Sequence, residues 1–154
     1  MEKVYISYFY QIRFMNPEYV PISTALYDPK WFHNFNNNEF VFFDKNGVLN
    51  GLRTKLLAPG LKCQNLCQGN KACAFNPNSC EFLKAYKEQL NEINFNEFKA
   101  GLTKCLTEYS RISGISNPIP VFIVYETPSN PCSERVPLIE WFISHGVACE
   151  EWNK

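Results

Sequence analysis

The sequence predicts an α/β domain with a mostly parallel sheet and flanking helices, and three observations carry that expectation. Residues 3–10, KVYISYFY, and 119–125, IPVFIVY, are dominated by β-branched and aromatic residues, the pattern of strands buried on both faces. Between them lie two stretches with helical spacing: Phe82, Leu83, Tyr86 and Leu90, then Phe95, Phe98, Leu102, Leu106 and Tyr109. A last apolar face, Leu138, Ile139, Trp141 and Phe142, follows the late strand, as it does where helices cover a sheet in two or three layers.

Taken in order, residues 3–10 form the first central strand. Pro17, Pro21 and Pro29 restrict the next stretch to short extended pieces, because proline and the residue before it have little backbone freedom, and 20–25 is the best second strand. Residues 34–38 read as loop, and 39–43 and 53–57 flank a turn at Lys45, Asn46 and Gly47. From 58 to 80 the composition shifts to Gly, Pro, Asn and Cys, an irregular cysteine-rich insertion over one edge of the sheet. Helix resumes after Asn78 or Ser79, and Asn94 caps the helix that runs to the break at 114–120. The final helix is expected to start with Ser133 as its cap. Pro137 is tolerable only near a helix start, where amides lack internal partners, and Gly146 supplies the stop.

The 154 residues fit one domain, 1–154, and 45% hydrophobic residues with 16% aromatics are ample for a core. The longest apolar runs fall far short of the roughly 20 residues that span a bilayer. The start, MEKVYISYFYQIRF, lacks the basic region and continuous apolar stretch of a signal peptide, so a soluble, cytoplasmic protein is expected. Fifteen basic residues balance fifteen acidic ones with no Lys/Arg run, which gives no reason to expect tight binding to duplex nucleic acid. Oligomeric state stays open. Seven cysteines in a reducing compartment are read as metal ligands, core residues or reactive thiols.

Three groups of residues could carry chemistry. The first is the strand, loop and helix unit at 119–142, since ligands of open α/β sheets gather at the carboxyl ends of strands and helix starts attract anions. There Glu126 could serve as general base or hydroxyl acceptor, Arg135 could grip a phosphate or carboxylate with both arms, Ser133 caps, and Cys132 is placed where a thiol pKa can be depressed. The plain alternative is that Glu126 pairs with Arg135 and Cys132 packs. The second group is Cys63, Cys67, Cys73 and Cys80, whose C-x3-C-x5-C-x6-C spacing suits a structural zinc or, less well, an iron–sulfur cluster, against four reduced thiols. The third is an aromatic excess, Tyr5, Tyr8, Phe9, Tyr10, Tyr27, Trp31, Phe32 and Phe35. These rings could stack on a nucleobase while Arg13 and Lys30 meet its phosphates, or simply fill the core and its rim. His33 and His145 are lone histidines, Cys105 lies at core spacing on its helix, and Cys149 has no partner that sequence identifies.

Three segments in order, ISYFYQIRF, PISTALYDPKWF and IVYETPSNPCSERVPLIEWF, resemble the bacterial and phage family called domain of unknown function four-eight-eight, over most of the chain. The resemblance implies a compact α/β domain in which a strand ends in a Cys/Tyr-Glu pair and a Cys-His-Arg turn opens a helix. Glu126 then matches the strand-end glutamate and Arg135 the arginine; Cys132 or Ser133 stands near the cysteine, and Glu134 replaces the histidine. Without that histidine a Cys/His nucleophile lacks its base, and the family has no agreed reaction to carry over.

The reading at this point is a protein that binds a small phosphate-bearing, nucleotide-like molecule at the carboxyl edge of the sheet, through Glu126, Cys132, Ser133, Arg135, Tyr8 and Arg13. A phage setting would make it a counter-defence protein that sequesters a host nucleotide signal. The rivals are a nucleotide or nucleoside hydrolase or transferase that uses Glu126, and a metal-stapled adaptor for a protein partner.

Overall fold

The computed structural model describes residues 2–30, 32, 52–54, 56–67 and 76–154, with the backbone of 42–43 and 49–50. Its strands are β1 (Lys3–Tyr8), β2 (Tyr19–Ser23), β3 (Phe42–Phe43), β4 (Leu49–Asn50), β5 (Leu52–Arg53), β6 (Ile119–Val124) and β7 (Ala148–Glu151). Its α-helices are α1 (Leu61–Cys67), α2 (Glu81–Asn91), α3 (Phe95–Ser113) and α4 (Arg135–Ser144). Five strands form one sheet in the order β5-β2-β6-β1-β7, and every pairing in it is parallel. β3 and β4 make a separate antiparallel pair. The α/β expectation therefore holds.

Burial on both faces explains why the central strands are apolar without alternation. Val4, Ile6, Val20, Val121, Phe122 and Ile123 are all fully buried. Phe122 meets Phe98 of α3 and Phe142 of α4, which places those helices over one face. On the neighbouring positions of the strands Tyr19 meets Tyr5 and Trp152. Aromatic edge contacts of this kind add to the burial of roughly 25 cal/mol per Å² of apolar surface that holds the layers together.

Several boundaries differ from expectation for identifiable reasons. The first strand stops at Tyr8, and Phe9–Phe14 is a 3-10 helix in which Phe9 and Ile12, three residues apart, are buried together. The second strand is Tyr19–Ser23; beyond it the Ala25 amide turns to the Ser23 hydroxyl at 3.2 Å and leaves the sheet. Of the 53–57 stretch, Arg53 lies in β5, parallel to β2, and the turn at Lys45 to Gly47 lies outside the described residues. The cysteine-rich 58–80 insertion is not wholly irregular: α1 lies in it, buries Cys63 and packs on α2. β7 was not anticipated, because ACEE is half acidic. It forms because β1 has an open edge that it can pair with, Val4 opposite Cys149 and Ile6 opposite Glu151.

Asn94 caps α3 as expected, its side-chain oxygen accepting the Glu97 amide at 3.1 Å, and Gly114 ends that helix at φ 75°. Gly146, at φ 81°, follows α4 and turns the chain toward β7. Among the described residues no helix is long and apolar enough to cross a membrane.

Candidate functional site at the carboxyl edge of the sheet

Because all five strands run the same way, their carboxyl ends share one edge, and β6 delivers Tyr125 and Glu126 to its middle. The following loop closes on itself: the Asn130 side-chain oxygen accepts the Cys132 amide at 2.9 Å, and the Asn130 carbonyl accepts the Ser133 amide at 3.3 Å. The helix then starts one residue later than expected. Glu134, not Ser133, occupies the cap position of α4, without a capping bond from its own side chain. The Ser133 hydroxyl accepts the Arg135 amide at 3.2 Å and an Arg135 guanidinium N–H at 3.1 Å, and donates to Glu126 Oε2 at 3.5 Å. Its one donor and two acceptor positions are thereby all in use.

Arg135 is buried, with only 5% of its side chain exposed, and this decides its role. Its Nε donates to Glu151 Oε1 at 2.7 Å and its Nη2 to Glu151 Oε2 at 3.3 Å. Nη1 donates to the Glu126 carbonyl at 2.6 Å as well as to Ser133. Four of the five guanidinium donors are thus spent inside the protein. The partner of Arg135 is Glu151 of β7 and not the Glu126 carboxylate, which corrects the expected Glu126–Arg135 pairing. Sequence reasoning missed Glu151 because nothing in ACEE marks a two-armed partner sixteen residues away. The amides expected to cradle an anion are likewise engaged: those of Cys132, Ser133, Arg135 and Val136 all have acceptors within the turn.

Glu134 is 4% exposed. Burial pushes its carboxyl up to about 8, and the negative charge of Glu126 beside it adds to the shift. The protonated form of Glu134 is thus favoured, next to a Glu126 that is only partly buried. Two carboxyls in contact, one buried and one partly open, can donate at one atom and accept at another. Tyr86 closes the deep side; its fully buried hydroxyl donates to the Leu57 carbonyl at 2.6 Å, and burial, then the charge of Glu134, raises it well above the usual phenol range.

Tyr8 lies beside this cluster, its ring 6.0 Å from the Arg135 guanidinium and its hydroxyl accepting from Gln11 at 3.0 Å. Arg13 is exposed on the 3-10 helix, lying over the Tyr10 ring at 4.1 Å. Phe9 and Phe32 are buried against each other, Tyr5 is half-buried, and Tyr10 and Tyr27 are exposed, so the aromatic group divides between core and rim. Trp31, His33 and Phe35 lie outside the described residues. His145 stacks on Phe95 at 4.2 Å.

Three of the four cysteines of the insertion are described. Cys63 is buried, its thiol 3.6 Å from the Gln89 side-chain oxygen and raised chiefly by burial, while Cys67 is exposed and Cys80 half-buried before α2. Cys73 lies outside the described residues, and among those described no group of three His, Cys, Asp or Glu could hold a metal ion. Cys105 and Cys132 are half-buried and pack against the core, and burial in β7 pushes the Cys149 thiol up to about 12. Raised thiols of this kind are poor nucleophiles at neutral pH.

Comparison of the chain with family models, with curated proteins and with solved structures returned no match.

Proposed function

We propose that the chain binds a small, phosphate-bearing, nucleotide-like molecule at the carboxyl edge of its parallel sheet, with Glu126 as the group that meets the ligand. The observation that carries this reading is the contact between the partly exposed Glu126 and the buried Glu134 at the end of the central strand. A carboxylate there accepts from ligand hydroxyls, as a ribose offers, and Ser133 with the Glu126 carbonyl grip by Arg135 holds it in one orientation. The resemblance to domain of unknown function four-eight-eight supports the same location, through Glu126 and Arg135.

The same pair favours a second reading, a hydrolase or transferase acting on a nucleotide or nucleoside. Glu126 would take a proton and Glu134 would supply one. Extraction of the purified protein by denaturation, followed by mass spectrometry, tests both: an intact nucleotide-like molecule supports binding, and its breakdown product supports turnover. Replacing Glu126 by Gln is expected to reduce adenosine affinity about tenfold with an unchanged Tm, since a charged acceptor bond is lost. Unchanged affinity removes Glu126 from the site. A structural zinc on Cys63, Cys67, Cys73 and Cys80 is a separate proposal that rests on their spacing, and close to one zinc atom per chain by elemental analysis is its expected outcome.

A further inference from the structure

With Arg135 spent on Glu151, Ser133 and the Glu126 carbonyl, a phosphate at this edge needs another cation, and the 3-10 helix that leaves β1 offers one. We propose that Arg13, held over Tyr10, binds the phosphate end of the ligand whose other end meets Glu126; this rests on the reading of Glu126 above. The Arg13 Nε donates to the Tyr10 carbonyl at 2.9 Å and the guanidinium lies 4.1 Å from the Tyr10 ring, so the exposed side chain is fixed at its base. Tyr10, 53% exposed, packs edge-on against Phe14 at 5.7 Å, and the Lys154 ammonium lies 4.4 Å from the Phe14 ring. Two cations laid on two rings, with no ion pair to a carboxylate among the described residues, form a shelf that is complementary to an anion.

Hydrogen bonds connect the shelf to Tyr8, which lies beside the Glu126 cluster. Gln11 of the same 3-10 helix donates to the Tyr8 hydroxyl at 3.0 Å and accepts the Lys154 amide at 3.3 Å, and the Tyr8 ring faces Arg135. Stacking on a ring also gives Arg13 a fixed geometry, so less side-chain freedom is lost when it binds a phosphate with two donors.

Titration with ATP and with adenosine, followed by amide chemical shifts, tests the assignment. ATP is expected to move the resonances of Tyr10 to Phe14 and of Glu126 together, adenosine only the latter. Arg13→Gln is expected to weaken ATP about tenfold and leave adenosine unchanged, with Arg13→Lys recovering part of the loss. Glu126→Gln is expected to weaken both. If Arg13→Gln binds ATP as well as the parent does, or if parent protein shows no ATP shifts at Tyr10 to Phe14, the shelf is not a phosphate site. Should Arg13→Gln lose ATP while Glu126→Gln keeps adenosine, the shelf stands and the Glu126 reading falls. Binding of phosphatidylserine vesicles through these residues without ATP binding overturns the nucleotide assignment in favour of a membrane surface.

Discussion

α3 begins where the Asn94 side chain accepts the Glu97 amide three residues on, whereas α4 begins where Ser133 accepts the Arg135 amide while donating back to Glu126 across the strand end. The first start is local, with cap and amide within one turn. The second is assembled from three places: the end of β6, the first turn of α4, and Glu151 of the closing strand. Each satisfies a helix start, but only the second also buries an arginine and a protonated carboxyl beside a more open carboxylate. Local caps stabilise a helix and do little else. An assembled start of this kind also presents polar groups at the sheet edge where ligands of such folds bind.

The contrast can be broken most strongly at the distal contact. Glu151→Ala leaves the Arg135 charge buried and without its carboxylate, and is expected to cost about 3–5 kcal/mol in denaturant unfolding. Combining Arg135→Met with Glu151→Leu should cost less than either single change, because no unpaired charge is left. A loss below about 1 kcal/mol for Glu151→Ala would mean that the pair is a rim contact. It follows that Arg135→Ala acts first on stability and only through it on binding.

The next effect is one of pH. Glu134 titrates near 8 in the folded chain against 4.5 for an ordinary glutamate, so the folded state holds its proton more tightly. Its contribution to stability is fully present below about 4.5 and is lost as pH rises toward 8. Melting curves across that range should show Glu134→Gln losing less stability than the parent as pH rises. Parallel curves would show that Glu134 is ionised in the fold.

The smaller effects belong to the local start and its matching end. Gly114, at φ 75°, has nothing within 4 Å of an added Cβ, so Gly114→Ala tests backbone conformation alone and should cost about 1–2 kcal/mol. Asn94→Ala removes one capping bond and should cost about 1 kcal/mol, with no change in pH dependence or ligand affinity. Urea denaturation measures both, and an Asn94→Ala effect on adenosine binding would show that the two helix starts are coupled.

Residue pattern made α2, α3, β1 and β6 legible, because burial periodicity and capping chemistry act within a few residues. The same held for the end of β6 just before Glu126 and for the start of α4 shortly before Pro137. It did not extend to what Arg135 binds. Guanidinium chemistry is equally suited to a phosphate or to a carboxylate, and the carboxylate lies in β7, a strand whose four residues show no strand pattern.

By itself the sequence determined the α/β class and the Asn94 cap of α3, which depend on interactions between near neighbours in the chain. Tertiary structure decided the strand order, the pairing of Arg135 with Glu151 and the proton held by Glu134. These depend on which charges are buried together, and burial is a property of the packed molecule, since the desolvation that shifts a carboxyl or forces an ion pair has no counterpart in the extended chain.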